Sequence, residues 1–130
     1  MNRQPILALG ALLAGTSVAI GAFAAHGLKA ILSPQALAWV DTGAQYQMYH
    51  GLAILALGLT LLSKGSVRQL THVAWCFALS TLVFSGSLYL MAATGWTKLG
   101  MITPLGGVGF LFGWGWLVKL AVSGSLNPHQ

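Results

Sequence analysis

Four long stretches without a charged residue divide this chain of 130 residues. They cover residues 5–25, 42–63, 69–97 and 99–118. A transmembrane α-helix needs about 20 consecutive, mostly apolar residues, because the hydrocarbon core of a bilayer is about 30 Å thick. Each stretch reaches this length, so the charge pattern alone predicts four membrane-spanning helices.

The overall composition agrees with a membrane environment. Only 5% of the residues are charged and 56% are hydrophobic, whereas soluble domains carry about 25% charged residues. So few charged side chains cannot cover the surface of a soluble domain of this size. We therefore predict an all-α fold, an integral membrane four-helix bundle with antiparallel helices. It forms one membrane domain over residues 1–130, with spans at roughly 5–25, 45–63, 73–93 and 102–122.

The first stretch has two interpretations. Arg3, the apolar run and the sequence Ala22-Phe23-Ala24 are typical of a cleavable signal peptide. However, the uncharged run exceeds the roughly 7–15 residues of a signal hydrophobic region. Small residues also fall near one helical stripe: Gly10, Ala14, Gly21 and Ala25. Because small residues let membrane helices approach closely, we interpret the segment as a retained first helix.

Proline marks the start of two helices. Ser33-Pro34 is a typical helix start, with serine as the N-cap and proline at the first helical position. Thr103-Pro104 gives a similar signal before the fourth span. The residues after Pro34 form either a short interfacial helix that breaks at Gly43 or one helix that continues into the second span. The sequence leaves both alternatives open.

The fourth span is rich in glycine. Gly109 and Gly113 form a G-x-x-x-G pair, a pattern that recurs where membrane helices pack closely. We therefore predict that these two glycines lie in a contact between helices.

Most polar side chains fall on one side of the predicted bundle. Short loops between antiparallel spans bring together the end of helix 1, the start of helix 2, the end of helix 3 and the start of helix 4. Polar side chains at membrane depth face the bundle interior, because lipid offers them no partners. We expect a polar pocket on this side, lined by His26, Gln47, His50, Ser85, Tyr89 and Thr103.

The charged residues are scattered along the chain. Nucleic-acid binding requires a basic surface that contacts several phosphates, and this distribution does not predict one. Asp41, the only acidic residue, lies on the same side as Lys29 and Lys98, so we expect an ion pair there. The other basic residues, Arg3, Lys64, Arg68 and Lys119, fall on the opposite side. By the positive-inside rule, this asymmetry predicts that both termini are cytoplasmic.

The same residues do not predict catalysis, a metal or a cofactor. An enzyme needs a nucleophile and a base, or a metal and a base, within mutual reach. Cys76 has no neighbouring histidine in the sequence and is interpreted as a packing residue. Zinc needs three or four ligands, whereas His26 and His50 provide two.

Four sequence blocks resemble a known family. They are GAFAAHGLK (21–29), YQMYHGLAILALG (46–58), FSGSLYLMAATG (84–95) and LGMITPLGGVGFLFGW (99–114). They are similar to the family known as domain of unknown function 423. The resemblance implies a small four-span protein of the bacterial inner (plasma) membrane with a retained first helix. It implies no catalytic residues.

Two functions remain in competition at this point. The first is a non-enzymatic accessory protein that packs in the lipid bilayer against a membrane-protein partner or a second copy of itself. The alternative is a protein that binds a small molecule, a lipid or an ion in the polar pocket, with transport as a less favoured variant. An enzyme that acts on a lipid or quinone ranks last, since an acid–base pair is missing.

Overall fold

Four α-helices form most of this computed structural model, which describes residues 3–65 and 67–126. The helices are α1 (Arg3–His26), α2 (Pro34–Lys64), α3 (Arg68–Thr94) and α4 (Thr103–Val122). Two short 3-10 helices, Leu28–Ala30 and Thr97–Met101, lie in the first and third connections. The described residues contain no strand, and the predicted all-α fold is confirmed.

Helix α2 resolves the alternative that the sequence left open at Gly43. It is one continuous helix of 31 residues, and the Ser33 side chain caps its start by accepting a hydrogen bond of 3.1 Å from the Ala36 amide. A Cβ atom at Gly43 would lie 2.6 Å from the Tyr89 ring. Gly43 therefore makes room for α3 and does not break the helix, so a separate interfacial helix is not formed.

Consecutive helices run antiparallel. On α1 and α2, Gly10 lies beside Leu55 and Leu7 lies beside Gly58, so numbers rise on one helix as they fall on the other. Helices α3 and α4 behave in the same way. A Cβ at Gly106 would lie 2.6 Å from the Phe84 amide nitrogen, and one at Gly113 would lie 2.7 Å from the Phe77 ring.

Helices α2 and α3 form the centre of the bundle. Helix α1 packs mainly on α2, and α4 packs mainly on α3. The larger core cluster contains Ile54 from α2 and Phe77 from α3, both 0% exposed, together with Ile6 from α1 and Phe110 from α4. A smaller cluster at the opposite end includes Ala24 of α1 and Ala92 of α3. Each outer helix thus buries one stripe and leaves the rest of its surface exposed.

Glycine residues allow close contacts between helices, and the sequence predicted some of these contacts but not all of them. Gly109 and Gly113 lie against Ser80 and Phe77 of α3, as expected for a packing pair. In the predicted stripe of α1, Gly10 and Ala14 contact α2. Gly21 faces open space, and Ala25 is exposed.

Three helical segments in the described part of the chain are long and apolar enough to cross a membrane. They are Gln4–Ala30, Arg68–Thr94 and Thr97–Val122. Helix α2 is not in this group, although it is the longest helix, because its first half carries Asp41, Gln45, Gln47 and His50. The architecture is that of a membrane helical bundle, and the crossing of the bilayer by α2 stays a prediction.

Candidate functional site

The Gln47 side chain joins three helices at the centre of the bundle. Its amide nitrogen donates to the Leu13 carbonyl at 2.8 Å and to the Thr16 hydroxyl at 2.7 Å, both on α1. Its amide oxygen accepts a hydrogen bond of 2.8 Å from the Tyr89 hydroxyl on α3. Gln47 is only 5% exposed. It therefore links α1, α2 and α3 through groups that lipid cannot replace.

Ser85 adds a second contact between α2 and α3. It is 1% exposed, and its hydroxyl donates to the Gly43 carbonyl at 2.7 Å. The Tyr89 ring lies against the same glycine. We call Gln47, Ser85, Tyr89 and Thr16 the glutamine cluster.

His50 belongs to a different group, which faces α4. Its Nδ1 atom lies 2.8 Å from the Tyr46 carbonyl, and the Trp114 indole N–H donates to its Nε2 atom at 3.0 Å. A carbonyl can only accept and an indole N–H can only donate. Hence the Nδ1 atom carries the hydrogen, and both ring nitrogens are occupied.

Aromatic rings surround this histidine. Its ring stacks on Phe110 with centroids 3.6 Å apart and an interplanar angle of 11°. Phe77 approaches it edge-on at 5.2 Å, and the Trp114 ring lies at 5.8 Å. We call His50, Phe77, Phe110 and Trp114 the histidine cluster.

The single polar pocket predicted from the sequence is therefore divided. The structure brings Gln47, Ser85 and Tyr89 together but places His50 in the histidine cluster. Residues three apart share a helix face, but central α2 has different neighbours on each flank of that face. Gln47 turns toward α1 and α3, whereas His50 turns toward α4.

The other two residues of the predicted pocket lie outside both clusters. His26 is exposed at the end of α1. Thr103 begins α4, and its hydroxyl oxygen lies 2.5 Å from that of Ser87. That hydrogen bond joins α4 to α3 and not to α2.

The expected ion pair is not formed. Asp41, Lys29 and Lys98 are all exposed, and no ion pair joins them in the part of the chain that the structure describes. Lys29 and Lys98 lie in the first and third connections, and Asp41 lies two turns inside α2.

The buried polar groups of the bundle form hydrogen bonds within the protein. Across residues 3–65 and 67–126, every buried side-chain nitrogen and oxygen has a hydrogen-bond partner. The same residues contain no group of three or more His, Cys, Asp or Glu side chains that could hold a metal ion. The Cys76 thiol points at the Gly109 carbonyl, 3.4 Å away. Most hydrogen bonds of the two clusters join different helices.

Sequence reasoning missed Thr16 and Trp114, the partners of Gln47 and His50. Thr16 is the only threonine in α1, which is a weak signal for a polar contact. Trp114 lies one turn after Phe110, but tryptophan in a span is also typical of a lipid-facing interface. Only the rotation of α4 against α3 decides which of these roles it has.

The bundle and its buried polar contacts define a helical membrane protein. Residues 20–107 match a family described as "Protein of unknown function (DUF423)", and the chain belongs to this family. A UPF0382 membrane protein of Haemophilus influenzae is 46% identical over 86% of this chain and 89% of its own length.

Two further relatives are similar over almost the whole chain. The UPF0382 membrane protein YwdK of Bacillus subtilis is 39% identical over 88% of this chain and 93% of its own length. The UPF0382 inner membrane protein YgdD of Escherichia coli K12 is 35% identical over 94% of this chain and 92% of its own length. No solved structure matches this protein.

Proposed function

We propose that this protein is a non-enzymatic accessory protein of the bacterial inner membrane, which packs against a transmembrane helix of a partner protein. The outer face of α1 is the observation that carries this proposal. Five small residues occupy that face, all of them exposed: Ala8, Ala11, Gly15, Ala19 and Ala22. They recur every three or four positions and form one stripe, opposite the stripe that packs on α2.

The outer face of α4 provides the comparison. It exposes bulky apolar side chains, among them Leu105, Val108, Leu111 and Phe112, each at least 64% exposed. On α1 the exposed bulky side chains of Leu12 and Val18 flank the stripe of small residues. Bulky side chains suit contact with lipid tails, whereas small residues let two helix backbones approach closely. The difference between the two outer helices favours α1 as the surface for a partner helix.

The interior supports the non-enzymatic part of the proposal. General acid–base catalysis requires a side chain within hydrogen-bond reach of a substrate. Both ring nitrogens of His50 are occupied by Tyr46 and Trp114. The Gln47 amide is occupied in the same way by α1 and α3. These groups are used to hold helices together.

A photo-crosslinking residue placed at position 11 or 108 tests the proposal. Position 11 lies on the small stripe of α1, and position 108 lies on the bulky face of α4. We expect illumination of intact membranes to join position 11, but not position 108, to one defined membrane protein. A crosslink to a second copy of this chain would instead indicate self-association and would overturn the accessory role.

Two glycine variants make the crosslinking test specific. A Cβ at Gly15 or at Gly115 meets nothing within 4 Å, so Gly15→Leu and Gly115→Leu should both fold. Gly15→Leu fills the stripe and should abolish the adduct, whereas Gly115→Leu on α4 should keep it. An adduct that survives Gly15→Leu, or its absence from wild-type membranes, would argue against the proposal.

A further inference from the structure

A groove lies between α1 and α3, which make few direct contacts with each other. It has a volume of about 350 Å³. Carbon atoms form most of its wall, including those of Leu9 and Leu13 on α1 and Leu79 and Leu82 on α3. Gln47 and Tyr89 of the glutamine cluster lie at one end. A second apolar cavity toward the first connection also reaches Tyr89.

In the part of the groove between Thr81 and Tyr89, the polar side chains donate all their hydrogen atoms within the protein. Tyr89 donates to Gln47, and Gln47 donates to Leu13 and Thr16. The two other hydroxyl groups, of Ser85 and Thr81, donate to backbone carbonyls. A hydroxyl oxygen also has two lone pairs that accept hydrogen bonds. The hydrogen-bonding capacity that remains between Thr81 and Tyr89 is therefore accepting only, whereas the far end of the groove carries the indole N–H of Trp75.

The phenol of Tyr89 is the acceptor that a ligand can reach most easily. Tyr89 is partly exposed, whereas Ser85 and Thr81 are 1% and 3% exposed. Tyr89 lies five residues before the end of α3, or about 8 Å along the helix axis. A hydrocarbon core about 30 Å thick, centred on this 27-residue helix, begins about 5 Å from the same end. The phenol thus lies near the headgroup boundary.

The apolar part of the groove extends from Tyr89 toward the opposite surface. It reaches Trp75, which is 14 residues away on α3 and therefore about 21 Å distant. A groove of this length and of about 350 Å³ accommodates a single hydrocarbon chain and is too small for a helix.

We propose that the groove between α1 and α3 binds a single-chain lipid whose polar end is a hydroxyl group. The hydroxyl donates a hydrogen bond to the Tyr89 oxygen, and the chain lies along Leu13, Leu79 and Leu82. The inference goes beyond the proposed accessory role, because it uses a different face of α1.

The accepting character of the Tyr89 end of the groove distinguishes this lipid from other membrane compounds. A quinone carbonyl, an ester carbonyl and a phosphate oxygen are acceptors, and they would meet only oxygen lone pairs at Tyr89. A hydroxyl can donate, and near the headgroup boundary it competes with less water than in solution. The same hydrocarbon chain should therefore bind more weakly when its hydroxyl is blocked.

Photolabelling of the full-length protein in its own membranes tests the proposal. The probes are a long-chain alcohol with a diazirine in its chain and the methyl ether of the same alcohol. We expect the alcohol to label peptides of α1 and α3 about fivefold more than the ether, the effect of roughly one hydrogen bond. Equal labelling by the two probes would overturn the proposal, as would labelling spread equally over α4.

Gly86→Leu supplies the matching protein variant. Gly86 lines the groove, and a Cβ at this position meets nothing within 4 Å. The leucine side chain should fill the groove without disturbing the helix, so labelling by the alcohol should fall to the level of the ether. Undiminished labelling in Gly86→Leu would refute a site in this groove.

Gly15→Leu is the control that separates this inference from the proposed function. It lies on the outer face of α1, away from the groove, and should leave labelling unchanged while it removes the partner adduct. Labelling lost in Gly15→Leu would contradict the groove as the site, whatever the outcome for the partner.

Discussion

At the scale of single residues, Gln47 makes the most demanding polar contacts in the bundle. One side-chain amide forms three hydrogen bonds to two other helices. A glutamine in lipid is costly, so it is retained in a span when each of its groups has a partner. This explains why a polar side chain with only 5% exposure stabilises the structure.

Replacement of Gln47 by leucine should therefore destabilise the bundle. Gln47→Leu leaves the Tyr89 hydroxyl without its acceptor and removes both hydrogen bonds from α2 to α1. Single interhelical hydrogen bonds in membranes contribute about 0.6 kcal/mol and up to about 1.7 kcal/mol. We expect the free energy of unfolding to fall by about 1–3 kcal/mol, measured by denaturant titration in mild detergent. Gln45→Leu, at an exposed position, should not lower it, and equal losses would contradict the bridging role.

At the scale of helices, the contact between α1 and α2 depends on glycine. A Cβ at Gly51 would lie 2.9 Å from the Ala14 amide nitrogen, and one at Gly58 would lie 2.8 Å from the Leu7 Cα. Backbone atoms cannot move aside as a flexible side chain can. The two helices can be this close only because both positions lack a side chain.

Gly58→Ala should separate these helices. The added methyl group forces α1 away from α2, and overpacking of this kind costs about 1–3 kcal/mol. Thermal unfolding of the detergent-solubilised protein would measure the effect. Gly21→Ala is the matched control, since a Cβ there meets nothing within 4 Å and alanine favours a helix. A smaller effect at Gly58 than at Gly21 would contradict the observed packing.

At the scale of the whole molecule, the central question is whether α2 crosses the bilayer. Three helical segments qualify by length and composition, and α2 does not. Yet α2 lies between α1 and α3, and its neighbours bury Gln47 and His50, whereas Asp41 and Gln45 are exposed. A helix shielded in this way can cross lipid, although its hydropathy alone does not indicate it.

The location of the two termini decides this question. Four crossings put both termini on the same side of the membrane, whereas three crossings put them on opposite sides. We expect fusions to a reporter that fluoresces only in the cytoplasm to be bright at either end of the chain. A bright fusion at one end and a dark, stably inserted fusion at the other would contradict the crossing by α2.

The sequence by itself determined the membrane class, the four helices and most of their limits. The length of the uncharged stretches and the Ser33-Pro34 cap are local properties of the sequence. They act in the same way whatever the rest of the chain packs against. It also indicated that Gly109 and Gly113 would pack, because small residues on one helical face have few other uses in a bilayer.

Only the tertiary structure decided how the polar residues are shared between helices. The split between Gln47 and His50, the role of Gly43 as space for Tyr89 and the pairing of Trp114 with His50 depend on how each helix is rotated about its axis. That rotation follows from the packing of side chains on helices far apart in sequence. A periodic pattern on one helix cannot specify which neighbour its face will meet.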